Sequence, residues 1–75
     1  MASISVTDYD TDYITVKVSG MSTAAKYIEF YIDGDLERYY TLSGTSKSHT
    51  YTGLEPGTRY TLSAIVYDSN WNQLA

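Results

Sequence analysis

Apolar residues alternate with polar ones in several short stretches of this 75-residue chain, and this period of two constrains its fold more than any other feature. In the stretch ITVKVSG (14–20), Ile14, Val16 and Val18 occupy every second position. Successive side chains of a strand point to opposite faces, so such a stretch buries one face and exposes the other. No segment carries apolar residues at the 3.6-residue period of a helix. The alternation therefore predicts an all-β chain.

Turn-forming residues separate these stretches at intervals typical of a β-sandwich. The clearest turn is Asp33-Gly34, because an Asp-Gly pair between two alternating runs favours a tight hairpin. The chain has no internal repeat and no interior linker, so we expect one domain over residues 1–75. The predicted strands cover residues 3–7, 13–19, 26–33, 37–43, 48–53 and 59–68, and a seventh strand is missing or is a stub at 71–75.

The decamer GLEPGTRYTL (53–62) predicts a corner at which the chain passes from one sheet to the other. Leu54 is expected to plug the end of the core. Pro56 and Gly57 favour a turn, because Pro fixes φ and Gly accepts a positive φ. Tyr60 would then enter the last strand with its ring inside and its hydroxyl near an upstream backbone group. Sandwich domains contain such a tyrosine corner.

Three stretches together resemble the fibronectin type III family, especially its bacterial and phage members: YTGLEPGTRYTLSAIVYD (51–68), YIEFYIDG (27–34) and ITVKVSG (14–20). The resemblance spans most of the chain. It implies an immunoglobulin-like β-sandwich on an extracellular or virion surface. Two features depart from the family. Val18 stands near the position of its usual Trp, and the family's seventh strand would only begin near Leu74.

Composition argues against several classes of partner. The formal net charge is −4, and the five Lys and Arg residues are scattered, whereas a nucleic-acid binder needs a basic stripe. No apolar run approaches the roughly 20 residues of a membrane span, and MASISVTDYD has no signal-peptide pattern. The chain contains no Cys, which excludes disulfides and thiolate metal sites. We expect no nucleic-acid binding, no membrane insertion and no cofactor.

Catalysis is not expected either. The single histidine, His49, is placed by the alternation on the inner side of its strand. A nucleophile and base must lie within hydrogen-bond reach of each other. Ser48 is adjacent in sequence, but neighbouring positions of a strand face opposite ways. We interpret His49 as a half-buried structural residue and expect that the protein is not an enzyme.

The segment DYDTDY (8–13) is a weak calcium candidate, because Asp8, Asp10 and Asp12 have the spacing of the start of a calcium-binding loop. The sixth position of that loop would be Tyr13 instead of Gly, and the twelfth would be Ser19 instead of Glu. The alternative is a solvated turn with three mutually repelling carboxylates.

Tyrosine is the compositional outlier, with nine residues against one Phe and one Trp. The alternation that turns Ile28 and Phe30 inward turns the side chains between and beside them outward. The same alternation turns every second side chain of the neighbouring strands outward on the same face. Tyrosine rings form good contact surfaces because they combine apolar area with a polar tip. The alternative is ordinary cross-strand pairing on a wetted sheet. The predicted interaction face consists of Tyr27, Tyr31, Tyr39, Ile65 and Tyr67.

The strand predicted at 59–68 would have a free edge if no complete strand follows it. Such an edge can pair with a partner chain or with a second copy. The alternatives are a chain that was cut short, or residues 71–75 folding back as a stub.

The leading functional hypothesis is a non-catalytic β-sandwich module for protein–protein contact, adhesion, spacing or assembly on an extracellular bacterial or phage virion surface. A carbohydrate-binding accessory module of a secreted glycan-degrading enzyme is the first alternative. A truncated or engineered scaffold without native function is the second.

Overall fold

The computed structural model describes residues 2–74, and within them the regular structure is entirely β. The all-β prediction is therefore confirmed. Six strands follow one another along the chain: β1 (Ser3–Tyr9), β2 (Ile14–Ser19), β3 (Tyr27–Ile32), β4 (Asp35–Thr41), β5 (Lys47–Tyr51) and β6 (Leu62–Tyr67).

The strands form two antiparallel sheets of three, in the orders β1-β2-β5 and β4-β3-β6. Residues of both sheets meet in one apolar core, which gives the molecule a β-sandwich-like architecture. In the register, Val16 of β2 lies opposite His49 of β5, and Phe30 of β3 lies opposite Ala64 of β6. Facing residues of paired strands share one side of the sheet, so these four side chains point toward the core.

The core contains the apolar positions that the alternation assigned to the inner faces. Phe30 and Ile28 of the central strand β3 are completely buried, and Val16 and Tyr51 of the other sheet are almost so. Tyr51 also donates its hydroxyl to the carbonyl of Tyr31 at 3.0 Å, so its polar tip is satisfied inside the sandwich. The remaining buried apolar residues are Val18, Met21, Leu42 and Val66.

The predicted hairpin joins β3 and β4 through Asp33 and Gly34. Their φ angles are 50° and 86°, as a type I′ turn requires. Ile32 and Asp35 pair directly on either side of this turn. β4 therefore begins at Asp35, two residues before the predicted start at 37, because a two-residue turn lets the ladder resume at once.

The corner between β5 and β6 has the elements that the sequence predicts. Gly57 has a φ of 74°, and the N–H of Thr58 donates to the carbonyl of Glu55 at 3.3 Å, so Pro56 and Gly57 occupy the centre of a turn. Leu54 is half-buried and packs against the core, and its N–H donates to the carbonyl of Asp12.

The predicted strand 59–68 is too long, because its first residues are held by the corner and not by the sheet. The hydroxyl of Tyr60 accepts the N–H of Glu55 at 2.9 Å, and the ring is half-buried. The N–H of Thr61 donates to the Asp33 carboxylate at 2.8 Å. Tyr60 therefore precedes β6 instead of lying within it.

The other strand bounds differ from the prediction by up to two residues. β1 continues to Tyr9 because the register shifts between Val6 and Asp8 and the ladder then resumes at the pair Tyr9 and Ile14. β4 ends at Thr41 instead of 43, and β5 ends at Tyr51 instead of 53. The ends of β2 and β3 each lie within one residue of the prediction.

Residues 72–74 fold back beside the end of β6 as a stub. Gln73 forms a single antiparallel bridge with Tyr67, and the N–H of Leu74 donates to the carbonyl of Val66 at 2.7 Å. Ala75, the last residue of the predicted stub, lies outside the described residues.

Candidate contact surface

The five side chains of the predicted interaction face lie on the outer side of the β4-β3-β6 sheet. Tyr39 is 56% exposed. The others, Tyr27, Tyr31, Ile65 and Tyr67, are half-buried. These four residues are half-buried because other side chains on the same outer face cover much of their surface.

One part of the face is organised by a carboxylate that the sequence analysis did not include. Glu29 lies in the middle of β3, opposite Ile65 on one side and Tyr39 on the other. Its Oε1 accepts the hydroxyl of Tyr31 at 2.7 Å and that of Tyr67 at 2.8 Å. These hydrogen bonds fix two rings that would otherwise rotate freely.

The same hydrogen bonds change the acidity of both phenols. The hydrogen bond to Glu29 is the largest cause, with smaller contributions from desolvation and from the carboxylate charge. Together they raise the pKa of Tyr31 to about 12 and raise the pKa of Tyr67 above its ordinary value. Both rings stay neutral across the physiological range.

The other part of the face is built around Trp71, which the sequence analysis treated only as part of a stub. Its indole stacks on the ring of Tyr27 with centroids 4.1 Å apart and planes 4° from parallel. Tyr67 lies 5.2 Å away in a tilted arrangement, and the edge of Tyr39 lies at 6.3 Å. We call Tyr27, Tyr39, Tyr67 and Trp71 the aromatic surface.

A tight turn after β6 carries Trp71 onto the sheet. The Asp68 carboxylate accepts the N–H groups of Asn70 and Asn72, each at 2.9 Å, and the Asn72 side-chain amide at 3.2 Å. The Trp71 N–H donates to the Asp68 carbonyl at 3.0 Å. These hydrogen bonds, chiefly the one from the Asn72 backbone, lower the pKa of Asp68, so the turn is formed with an ionised carboxylate.

The backbone at Trp71 is strained where the turn brings its ring onto the sheet. Its φ is 62°, in the left-handed region that a bulky residue rarely adopts. The sequence signal for this turn is the run DSNWN (68–72), in which Asp and Asn typically bond nearby backbone groups. The alternation of β6 does not continue through this turn. It therefore could not predict to which side of the sheet the Trp71 side chain points.

Trp71 remains 48% exposed although Tyr27 covers one face of its ring. The stacked indole of Trp71 and the exposed phenol of Tyr39 thus share one patch, bordered by the carboxylate of Glu29. Such a patch offers flat apolar area together with hydrogen-bonding groups, and these are the properties of contact surfaces.

His49 has partners that sequence reasoning missed, because they lie on the opposite sheet. Its Nδ1 is 2.7 Å from the hydroxyl of Tyr40, and its Nε2 is 3.2 Å from Oε2 of Glu37. The ring is only 8% exposed and packs against Phe30 with centroids 5.3 Å apart. His49 lies on the inner side, as the alternation predicts, but it is buried and not half-buried as expected; its hydrogen bonds join β4 to β5.

Two cations border this connection on the Tyr40 ring. The Arg38 guanidinium carbon lies 5.0 Å from the ring centroid, and the Lys47 ammonium lies 4.4 Å from it. Both distances are within the range of cation–π attraction. The sandwich is therefore closed by polar and aromatic contacts where β4 meets β5.

The three aspartates of the calcium candidate do not converge. Asp8 accepts the Tyr13 hydroxyl at 3.0 Å and the Tyr9 N–H, while Asp10 accepts the N–H of Thr11 at 2.7 Å. The hydrogen bond to Asp8 raises the pKa of Tyr13. Within residues 2–74, no group of three or more His, Cys, Asp or Glu residues could hold a metal ion.

No family model matches the chain, and no curated protein or solved structure matches it significantly. The part of the chain that the structure describes also has no helix long and apolar enough to cross a membrane.

Proposed function

We propose that this chain is a non-catalytic β-sandwich module that makes protein–protein contacts through its aromatic surface, for adhesion, spacing or assembly. The observation that carries the proposal is the ordered stack of Trp71 on Tyr27, which remains half open to solvent. A Trp next to several Tyr residues is the composition that binding hot spots favour.

Rigidity supports this function as much as composition does. Binding costs free energy for each side chain that it immobilises. Tyr67 is already fixed by Glu29, and Trp71 is fixed by the Asp68 turn and by Tyr27. Most of the free energy needed to order these side chains has therefore been supplied by folding, and a partner would not have to supply it.

The state of His49 supports the absence of catalysis. A general base needs a free nitrogen within reach of a substrate proton. Both ring nitrogens of His49 already have partners, Tyr40 and Glu37, and the ring is buried. We therefore assign this group a structural role.

The proposed location and family follow from the sequence resemblance. The motif YTGLEPGTRYTLSAIVYD (51–68) resembles fibronectin type III domains of bacteria and phages, which implies an extracellular or virion surface. The hydrogen bond from the Glu55 N–H to the Tyr60 hydroxyl supports the interpretation of this motif as a tyrosine corner.

A second candidate function is glycan recognition by the same surface. The observation that favours it is the single indole that is stacked on one face and partly exposed, with the Glu29 carboxylate nearby. An apolar sugar face can lie on such a ring while hydroxyl groups bond to the polar border.

The test is a pair of NMR titrations of the uniformly ¹⁵N-labelled chain. Phenol and 2-propanol serve as probes of protein-contact sites, and soluble oligosaccharides of cellulose, xylan and chitin serve as probes of glycan sites. The Trp71→Ala variant removes the indole. The matched control is Thr50→Ala, an exposed position on the other sheet.

The proposal expects the organic probes to shift the Trp71 indole signal and the amides around Tyr39. The amide shifts should be lost in Trp71→Ala, and both responses should be kept in Thr50→Ala. Shifts caused by an oligosaccharide at the same signals would favour the glycan candidate. Organic probes that gather elsewhere, or that distribute evenly over the surface, would reject the aromatic surface as the contact site.

A further inference from the structure

The Glu29 carboxylate lies among the rings of the aromatic surface. Tyr39 faces Glu29 in the register of β3 and β4, and the Tyr67 hydroxyl donates to Glu29 Oε1 at 2.8 Å. The same two rings flank Trp71, with centroids 6.3 Å from its indole for Tyr39 and 5.2 Å for Tyr67. Glu29 therefore places a negative charge beside the indole.

One oxygen of this carboxylate is open to a ligand. The hydroxyls of Tyr31 and Tyr67 both donate to Oε1, and within residues 2–74 no group donates to Oε2. Among these same residues, no buried side-chain oxygen or nitrogen lacks a hydrogen-bond partner. Because Glu29 is half-buried and its Oε2 has no partner, that oxygen must reach solvent. A donor from another molecule can thus bond to Oε2 without displacing either tyrosine.

No basic side chain in the described part of the chain neutralises Glu29. Within residues 2–74, Glu29 forms no ion pair with a Lys or Arg residue. Arg38 and Lys47 lie over the ring of Tyr40 instead, at 5.0 Å and 4.4 Å from its centroid. The net charge of the whole chain is −4, so its field attracts cationic partners. Charge complementarity therefore selects a cation for the aromatic surface.

The open face of the indole narrows the choice of cation. Tyr27 covers one face of the Trp71 ring, yet the side chain remains 48% exposed. Among aromatic side chains, Trp attracts a cation to its face most strongly. The planar guanidinium of an arginine stacks on such a face, donates hydrogen bonds from its edge and is more weakly hydrated than the ammonium of a lysine. Arginine therefore fits the flat ring and the neighbouring carboxylate together.

We infer that the aromatic surface binds an arginine side chain of a partner protein. The guanidinium stacks on the open face of Trp71 and donates an N–H to Oε2 of Glu29. This inference rests on the proposed function, because it names the group that the same surface recognises.

This arginine site lies apart from the edge of β6. The stub at 72–74 lies beside β6, where the N–H of Leu74 donates to the carbonyl of Val66. A strand that runs along this edge lies in the plane of the sheet. Glu29 and Tyr39 belong to β3 and β4, and their side chains project from the broad face of the sheet. A strand added at the edge would therefore leave them uncovered.

The test is an NMR titration of the ¹⁵N-labelled chain with three capped peptides: Gly-Arg-Gly, Gly-Lys-Gly and Gly-citrulline-Gly. Citrulline has nearly the shape of arginine without its charge. We expect the arginine peptide to shift the Trp71 indole signal, and its own side-chain methylene protons to move upfield over the ring. It should bind about fivefold more tightly than either other peptide. Salt at about 1 M, where the screening length is about 3 Å, should weaken this preference.

A variant tests the role of the carboxylate. Glu29→Gln removes the charge and keeps an amide oxygen that can accept the two tyrosine hydroxyls. We expect it to bind the arginine peptide about fivefold more weakly and no better than the citrulline peptide. Glu55→Gln is the matched control, because it makes the same change of charge at an exposed position of the corner between β5 and β6. It should keep the affinity and the preference.

Equal affinity for the arginine and citrulline peptides would overturn the inference, and this comparison on the unmodified chain needs no variant to fold. Unchanged affinity in Glu29→Gln would also overturn it, and tighter binding of the lysine peptide would overturn the choice of arginine. If phenol shifts the indole signal and the arginine peptide does not, this inference alone fails. If neither ligand shifts that signal, the proposed function fails with it.

Discussion

Replacement of Trp71 gives the sharpest test of how the aromatic surface is built. A Trp side chain presents roughly 200–250 Å² of surface. At 48% exposure about half of it is covered, which corresponds to an upper estimate of about 3 kcal/mol at ~25 cal/mol per Å². We therefore expect Trp71→Ala to lower the free energy of unfolding by about 2–3 kcal/mol.

The strained backbone at Trp71 also predicts which of two substitutions, by Gly or by Ala, gives the more stable variant. At φ 62° a residue with a Cβ incurs a cost of roughly 1–2 kcal/mol that glycine avoids. Glycine in turn loses about 0.4–1 kcal/mol through its greater freedom in the unfolded chain. Trp71→Gly should therefore be more stable than Trp71→Ala by about 0.5–1 kcal/mol, the reverse of the usual order.

Urea unfolding followed by far-ultraviolet circular dichroism measures both effects, since the backbone of the sheets gives an unfolding signal in every variant and only the midpoints are compared. The control is the same pair of substitutions at Thr41, an exposed position within β4, where Ala should be the more stable. If both Trp71 variants unfold at the wild-type urea concentration, the stack does not stabilise the fold. If Ala exceeds Gly at both sites, the left-handed turn is refuted.

Three further predictions concern the supporting hydrogen bonds. Glu29→Gln should lower the pKa of Tyr31 from about 12 toward its ordinary value near 10, measured by ultraviolet titration; an unchanged value would contradict the Glu29 contact. Because the pKa of Asp68 is lowered in the fold, the stability it contributes is complete above its ordinary value of 3.8 and is lost as the pH falls through the lower folded value. Trp71 fluorescence should show that acid transition, and Asp68→Asn should lack it; a transition retained in the variant would have another origin. Tyr60→Phe should cost about 1 kcal/mol in urea unfolding, because a corner N–H loses its acceptor; no change would show that water replaces the hydroxyl at no cost.

The alternation of the sequence was sufficient to predict the strands because burial on one face sets the side-chain period. Val16, Phe30 and Val66 are buried because they occupy alternate positions of their strands, which all face the core. The Asp33-Gly34 turn was predictable because its geometry depends on two adjacent residues. The strands and this turn could thus be predicted because they depend on residues that are close in the sequence.

The rest of the site depends on contacts between residues far apart in sequence. Trp71 stacks on Tyr27 across 44 positions, and no local rule links the two. Glu37 and Tyr40 reach His49 only after two sheets have packed together. Likewise, the sequence left open whether residues 71–75 fold back as a stub, because the bridge between Gln73 and Tyr67 depends on the hydrogen bonds of the Asp68 turn.

The central claim is that a preformed aromatic surface around Trp71 is where this module makes contact. Its most direct test is the single indole N–H signal in the ¹⁵N spectrum, since the chain has one Trp. Before any ligand is added, Trp71 should show nuclear Overhauser contacts to the Tyr27 ring, and phenol should then shift the same indole signal. An indole with random-coil shifts, without contacts to Tyr27 and without a response to phenol, would contradict the account.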